Sequence, residues 1–167
     1  MFIFDASTLI LVAKAEMLDS FINHIGREVA VPLEVEKECC SVKKWLDALM
    51  IRKMLDESRI RVISVKSSKM VVKLQVDFGL GQGEAEAIVL ALADKVRLLG
   101  IDDKNGINAC KLLGVGFTTA IGILVRMYEK KLFTTREALA KLEGLAKHGR
   151  YRTSILEDAR RQLETAT

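Results

Sequence analysis

Histidine and cysteine are scarce in this chain, which limits the kinds of metal site and catalysis it can support. The two histidines, His24 and His148, lie far apart in the sequence. The three cysteines are Cys39, Cys40 and Cys110, an odd number without the regular spacing of zinc ligands. These counts argue against a zinc site and a disulfide framework, and they indicate the reduced thiols of an intracellular protein.

Long apolar runs are also absent. The longest stretch without a charged residue, residues 112–125, is too short to cross a bilayer and contains glycine and threonine. The N-terminal residues lack the basic start and the cleavage pattern of a signal peptide. We therefore expect a cytoplasmic protein that does not enter the membrane.

Basic residues outnumber acidic ones, and they are unevenly distributed. The chain has 167 residues, which is enough for one domain with a real core, and its net charge is +4. Residues 42–73 hold nine lysines and arginines against three acids. A basic surface of this kind suits a polyanionic substrate. A solvated helix face is nevertheless the commoner explanation of a charge run.

The hydrophobic pattern alternates between short strands and helices. Strands are predicted at residues 2–5, 29–31, 61–65, 96–101 and 115–118. Helices are predicted at residues 6–17, 19–26, from 33 and continuing through 42–58, then at 67–78, 84–94, 106–113, 119–130, 135–147 and 153–164. Ser7 or Thr8 is the expected cap of the first helix. Strands alternating with helices indicate an α/β fold with a parallel sheet covered on both faces.

One of these helices, residues 42–58, contributes several large apolar residues. The side chains that we expect it to place in the core are Trp45, Leu46, Leu49, Met50 and Leu55. With few exposed aromatic residues then evident, base stacking is expected to contribute little to any nucleic-acid recognition.

Acidic residues follow several of the predicted strands. Asp5 ends the first strand, and Asp102 and Asp103 end the fourth. Glu38 lies in the helix after the second strand, and Glu84 opens the helix that leads to the fourth. If the first and fourth strands are neighbours, these carboxylates converge at one edge of the sheet. A hard cation such as Mg²⁺ or Mn²⁺ would relieve their repulsion, and metal-activated water is the simplest chemistry for such a site.

Two of these acids have rivals nearby. Glu34 and Glu36 lie on the same short helix as Glu38, and Glu34 could assist it because both share a face. Glu86 follows Glu84 but lies about 200° round the helix, on another face. The glycine-rich segment before Glu84 could suggest a phosphate-binding loop, but it lacks the Lys-Ser/Thr pair of a P-loop.

Five short motifs occur in order along the chain: residues 5–10 (DASTLI), 31–38 (VPLEVEKE), 81–88 (GQGEAEAI), 98–104 (LLGIDDK) and 119–124 (TAIGIL). Together they resemble the PIN domain, the ribonuclease fold of VapC-type toxins, and the resemblance covers essentially the whole chain. The third motif has the glycine-rich form of one prokaryotic branch. In the fifth, Thr119 and Ala120 depart from that branch's pattern.

The resemblance implies a PIN-like three-layer α/β/α fold with about five parallel strands and additional C-terminal helices. It implies a metal-dependent endoribonuclease whose acidic quartet is Asp5, Glu38, Glu84 and Asp103, with Mg²⁺ or Mn²⁺ as cofactor. Asp102 competes with Asp103 for the fourth position, because the doublet aligns either way. The expected cleavage products carry 5′-phosphate and 3′-hydroxyl ends.

The resemblance also implies supporting residues, a domain division and partners. Ser7 could hydrogen-bond the first ligand or a water on the metal, and Thr119 or Thr118 could support the site. Residues 1–130 would form the catalytic domain and 131–167 a helical extension packed on it. The expected partners are RNA, single-stranded rather than duplex, a small antitoxin protein and a second copy of the chain. The expected contacts to the RNA backbone are Lys43, Lys44, Arg52 and Lys104.

Two other functions remain to be weighed against the nuclease. The first is a catalytically silent PIN-like module that binds RNA or a protein, against which the complete quartet argues. The second is a magnesium phosphatase of the haloacid-dehalogenase type. That family has Asp-x-Asp after its first strand, whereas here position 7 is serine.

Overall fold

A five-stranded parallel sheet forms the centre of the molecule. The computed structural model describes residues 1–41, 45–93 and 98–165. The strand order is β3-β2-β1-β4-β5, and every pairing is parallel. The predicted α/β/α fold is thereby confirmed, and β1 and β4 are neighbours. The strands are β1 (Phe2–Phe4), β2 (Val29–Pro32), β3 (Arg61–Ile63), β4 (Leu98–Gly100) and β5 (Phe117–Thr118).

Helices lie on both faces of this sheet. In the described parts of the chain they are α1 (Ala6–Lys14), α2 (Leu18–His24), α3 (Leu33–Cys40), α4 (Leu46–Asp56), α5 (Ser68–Phe78), α6 (Gln82–Ala93), α7 (Lys104–Leu113), α8 (Ala120–Glu129), α9 (Thr135–His148) and α10 (Thr153–Thr165). Their order agrees with the hydrophobic pattern, but the helix predicted from residue 33 through residue 58 corresponds to two helices, α3 and α4; residues 42–44 between them lie outside the described part of the chain. None of these helices is long and apolar enough to cross a membrane.

The alternation of side chains along β1 separates two hydrophobic cores. Phe2 and Phe4 point to one face, where they pack edge to face with each other and with Phe21 at centroid distances of 4.7–5.3 Å. Ile3 points to the opposite face and joins the core under α5, α6 and α7. Because all three strand residues are at most 1% exposed, the strand that carries Asp5 is fixed from both sides.

The predicted cap of α1 and the predicted start of α6 are wrong. The cap of α1 is Asp5, whose carboxylate accepts the backbone N–H of Thr8, so neither Ser7 nor Thr8 caps it. Helix α6 begins at Gln82 instead of Glu84, so the last glycine of the expected loop, Gly83, is helical. Gly79 ends α5 with φ of +65°, a conformation that favours glycine.

The core face predicted for α4 is wrong. Trp45, Leu46 and Leu49 are 61%, 69% and 51% exposed. Met50 and Leu55 are half-buried, and Leu55 packs against the core as predicted. Because α4 packs closely on α1, its buried face is the one that carries a small residue. The buried side chains of α4 are Ala48, Ile51 and Met54.

The C-terminal helices share a core with the rest of the molecule. Helix α9 packs on α1 and α8, and α10 packs on α8 and α9. Leu142 and Leu145 of α9 and Ala159 and Leu163 of α10 belong to the same apolar cluster as Phe2 and Phe4. The tail therefore stabilises the face of the sheet that carries α1.

Candidate active site

Three of the predicted acids line one small cavity beyond the carboxyl ends of the strands. Its volume is about 310 Å³. The lining contains three carboxyl groups and one hydroxyl but no lysine, arginine or histidine. Nothing in this lining therefore neutralises the acids. The lining residues are Asp5, Ala6, Ser7, Glu38, Gly81 and Glu84.

Asp5 is the most deeply placed of the three. It is fully buried, the Ser7 hydroxyl donates to its Oδ2 at 2.6 Å, and the Thr8 backbone N–H donates to its Oδ1 at 2.8 Å. Burial raises the pKa of Asp5 to about 7, although these hydrogen bonds act in the opposite direction. The charge of Asp102 raises this pKa further. The carboxyl thus changes its charge close to neutral pH.

Glu38 and Glu84 approach the cavity from α3 and α6. Partial burial raises the pKa of each carboxyl group. A backbone N–H opposes the shift in each case, that of Gly83 for Glu38 and that of Gly81 for Glu84, the latter at 3.0 Å. The charges of Asp103 and Glu38 raise the pKa of Glu84 further, so Glu84 interacts electrostatically with both of these acids.

A second, larger cavity adjoins the first and shares Ser7 and Glu84 with it. Its volume is about 540 Å³, and it brings Asp102 and Asp103 next to Glu84. Unlike the first cavity, it also carries basic side chains. The other lining residues are Ile10, Leu11, Lys14, Lys104, His148, Gly149, Arg150 and Tyr151.

The sequence was compared with models of known protein families, and one family matches nearly the whole chain. The family model for PIN domains matches residues 1–165. The chain belongs to the PIN-domain family. Members of this family are in general metal-dependent nucleases, so the family predicted from the motifs is confirmed and nuclease activity is indicated. Among curated proteins and among solved structures, no significant match is found.

The two members of the acidic doublet in this PIN domain have different surroundings. Asp102 is largely enclosed: Tyr151 Oη donates to its Oδ1 at 2.6 Å, and Ala120 N and Thr8 Oγ1 donate to its Oδ2 at 2.8 and 2.9 Å. Asp103 is exposed and its Oδ1 caps α7. Among the described residues nothing donates to Oδ2 of Asp103. This oxygen is therefore the one that the doublet leaves available for a ligand.

The network around Asp102 was not foreseen from the sequence. Three donors from α1, the start of α8 and the segment before α10 meet on one carboxylate, which ties the C-terminal part of the PIN domain to the end of β4. Burial raises the pKa of Asp102, and all three hydrogen bonds oppose this. Nothing in the local sequence around Tyr151 indicated this role for the tyrosine.

The rival acids of the PIN domain have structural contacts of their own. Glu86 Oε2 accepts the backbone N–H of Glu34 at 3.3 Å, and Glu86 Oε1 accepts from Gln82 at 3.1 Å. Glu34 pairs with Lys37 at 3.0 Å. Neither these acids nor Glu36 is among the residues that line the first cavity. Glu38 and Glu84 are therefore better placed than their rivals.

The remaining predicted residues are placed as follows. The Thr119 hydroxyl accepts the N–H of Gly122 at 3.1 Å and so caps α8, away from both cavities. Arg52 donates to the backbone oxygen of Cys40 at 3.1 Å. Lys104 lines the second cavity. Lys43 and Lys44 lie outside the described residues.

The donor set fits a hard divalent cation in its chemistry. Carboxylate oxygens are the ligands that Mg²⁺ and Mn²⁺ prefer. Within the described residues, no three acidic, histidine or cysteine side chains are already arranged to chelate a metal ion. Because Mg²⁺ keeps several waters, direct contact with one or two carboxylates is sufficient.

Proposed function

We propose that this PIN domain is a Mg²⁺- or Mn²⁺-dependent endoribonuclease of the VapC-like branch. The observation that supports the proposal best is the first cavity, where Asp5, Glu38 and Glu84 meet without a basic residue. Asp103, whose charge acts on Glu84, would complete the site. When bound, the cation would supply an activated water and positive charge beside the scissile phosphate.

The side chains around the second cavity would hold the RNA. The basic residues that line this cavity are Lys14, Lys104 and Arg150. They would pair with the phosphates on either side of the scissile phosphate and so offset the repulsion between the RNA and the acids. Asp102 would act as a structural anchor, since three donors already occupy it. Ser7 would orient Asp5 through its 2.6 Å hydrogen bond.

The resemblance to the VapC-like branch also supports a proposal for the cellular role of the chain. The chain would be the toxin of a toxin–antitoxin pair, held inactive by a small protein, and would form a homodimer. Residues 1–130 would carry the catalytic residues, and residues 131–167 would contribute Tyr151 and Arg150 as an extension on the same domain.

Cleavage of a mixed RNA pool tests this function. We expect cutting with Mg²⁺ or Mn²⁺, none with EDTA, and none with Asp5→Asn, although the variant remains folded by circular dichroism. Glu38→Gln should lose at least tenfold in rate, on the order of one ligand's contribution. Its matched control is Glu36→Gln, which changes an acid of the same helix outside the cavity.

Two results would contradict the proposal. Activity that survives in Asp5→Asn would remove the proposed site. RNA binding without any metal-dependent cleavage would favour the catalytically silent module instead.

A further inference from the structure

The exposed tryptophan is the feature of this molecule that the proposed nuclease site leaves unexplained. Trp45 is the single tryptophan of the chain, and its side chain is 61% exposed at the start of α4. Burying a large aromatic side chain usually stabilises a protein, so an exposed one forgoes that gain. The ring makes no capping hydrogen bond to α4. The tryptophan therefore does not stabilise the start of α4 as a cap.

The position of Trp45 connects it to the candidate active site. Lys14 Nζ lies 5.5 Å from the centre of the indole ring, within the range of a cation–π contact. Lys14 also lines the second cavity together with Glu84 and Asp103. The Lys14 ammonium group thus lies over a face of the indole ring and at the same time lines the cavity that contains Glu84 and Asp103.

This pair of groups is complementary to a nucleotide. A base has a flat face that stacks on an aromatic ring, and its phosphate pairs with an ammonium group. In a duplex each base is already stacked and paired, so only an unpaired base has a face to offer. We propose that Trp45 is a stacking platform for an unpaired base of the RNA substrate, with Lys14 holding the adjoining phosphate. This inference rests on the proposed function.

A protein partner is the competing occupant, because Leu46 and Leu49 are exposed beside Trp45. An apolar partner surface would use all three side chains alike. It would gain little from the ammonium group of Lys14, which is strongly hydrated. The lysine over the ring and its place in the lining of the second cavity favour the nucleotide.

The single tryptophan provides a direct measurement. In the Asp5→Asn background, which prevents cutting, we expect short single-stranded oligo(U) to quench tryptophan emission, whereas a blunt RNA duplex does not. Trp45→Ala should weaken binding of the single strand, measured by anisotropy, about tenfold, and Trp45→Phe should restore most of it. In the active enzyme, Trp45→Ala should raise KM about tenfold with little change in kcat.

Leu49→Ala is the matched control, since it removes an exposed apolar side chain one turn along the same helix. It should leave RNA binding unchanged. Equal losses in Trp45→Ala and Leu49→Ala, or a change of oligomeric state in both by light scattering, would overturn the stacking proposal in favour of a protein interface. Binding without quenching, or no binding at all, would also overturn it.

The failure of the stacking proposal is distinguishable from the failure of the nuclease proposal. Wild-type protein that cleaves RNA while Trp45→Ala cleaves it equally well overturns only the stacking. Wild-type protein that never cleaves, but whose emission is quenched by single strands, supports the stacking and removes the nuclease.

Discussion

At the scale of single residues, the buried carboxyl group of Asp5 lowers the free energy of unfolding at neutral pH. Its carboxyl is fully buried and accepts hydrogen bonds from Ser7 and Thr8, yet burial still raises its pKa from 3.8 to about 7. Between these two pH values the folded protein keeps a proton that the unfolded chain has already released. Stability therefore falls as the pH rises from about 4 to about 7, and it levels off above that.

Replacing Asp5 with asparagine should remove this dependence. Asparagine keeps an acceptor for the Thr8 N–H but carries no charge at any pH. In EDTA, we expect Asp5→Asn to be more stable than the wild type by up to about 4 kcal/mol near pH 7.5, and the difference should shrink towards zero near pH 4. Urea unfolding at several pH values measures both curves.

The exposed acid Asp56, at the end of α4, offers the comparison for that experiment. Asp56→Asn should leave the pH dependence of the wild type in place. Parallel curves for the wild type and Asp5→Asn would show that the Asp5 carboxyl is not held in the protonated state by burial.

At the scale of elements, the approach of α3 to α6 positions the acids. Gly83 lies in the first turn of α6 and faces α3. A Cβ added to Gly83 would lie 2.6 Å from Glu38 Oε1 and 3.1 Å from Val35 Cγ2. The absence of a side chain at this position therefore lets Glu38 reach both the cavity and the Gly83 N–H.

Gly83→Ala should therefore separate stability from function. Alanine favours a helix by about 1 kcal/mol over glycine, which offsets the strain against Val35. The flexible end of Glu38 must move away, so we expect little change in unfolding free energy but at least a tenfold loss of RNA cleavage. Thermal unfolding and cleavage rates, measured on the same preparations, test both parts.

Gly81→Ala is the matched substitution two residues earlier. A Cβ there would meet Glu84 Oε2 at 3.7 Å, an ordinary van der Waals contact. It should keep most of the activity. If both alanine variants lose activity equally, flexibility of the glycine segment and not the space beside Glu38 is the cause.

The elements also show where sequence reasoning succeeds and where it fails. Alternation and turn residues located every described strand to within a few residues, because short-range sterics determine them. The face of α4 was misjudged because its apolar residues form two stripes, and only the packing on α1 decides between them. Leu46 and Leu49 occupy the exposed stripe, and Ile51 and Met54 the buried one.

At the scale of the whole molecule, the strand order brings distant acids together. With β1 beside β4, Asp5 and the doublet at Asp102 leave neighbouring strand ends. This gathering could be anticipated from the rule for parallel sheets. The contact between Tyr151 and Asp102 could not, because it joins residues 49 positions apart through the docking of the C-terminal helices. Long-range partners of this kind depend on packing that no local pattern encodes.

A cation that binds the gathered acids should stabilise the entire fold, even without RNA. At a free concentration 100 times Kd, ligand binding adds about 2.7 kcal/mol, which corresponds to a rise in Tm of roughly 5–10 °C for a chain of this size. We expect Mn²⁺ or Mg²⁺ to produce this rise near pH 7.5. The rise should be smaller near pH 5.5, because protons compete for the same carboxylates when the pKa of Asp5 is about 7.

Three variants and a salt control separate binding at the site from a general effect of ionic strength. Asp5→Asn and Glu38→Gln should lose most of the rise in Tm, whereas Glu36→Gln should keep it, and KCl of equal ionic strength should not reproduce it in any of them. An equal rise in the wild type and Asp5→Asn would show that the cation binds elsewhere. Because the measurement needs no substrate, it tests the metal site independently of which RNA the enzyme cuts.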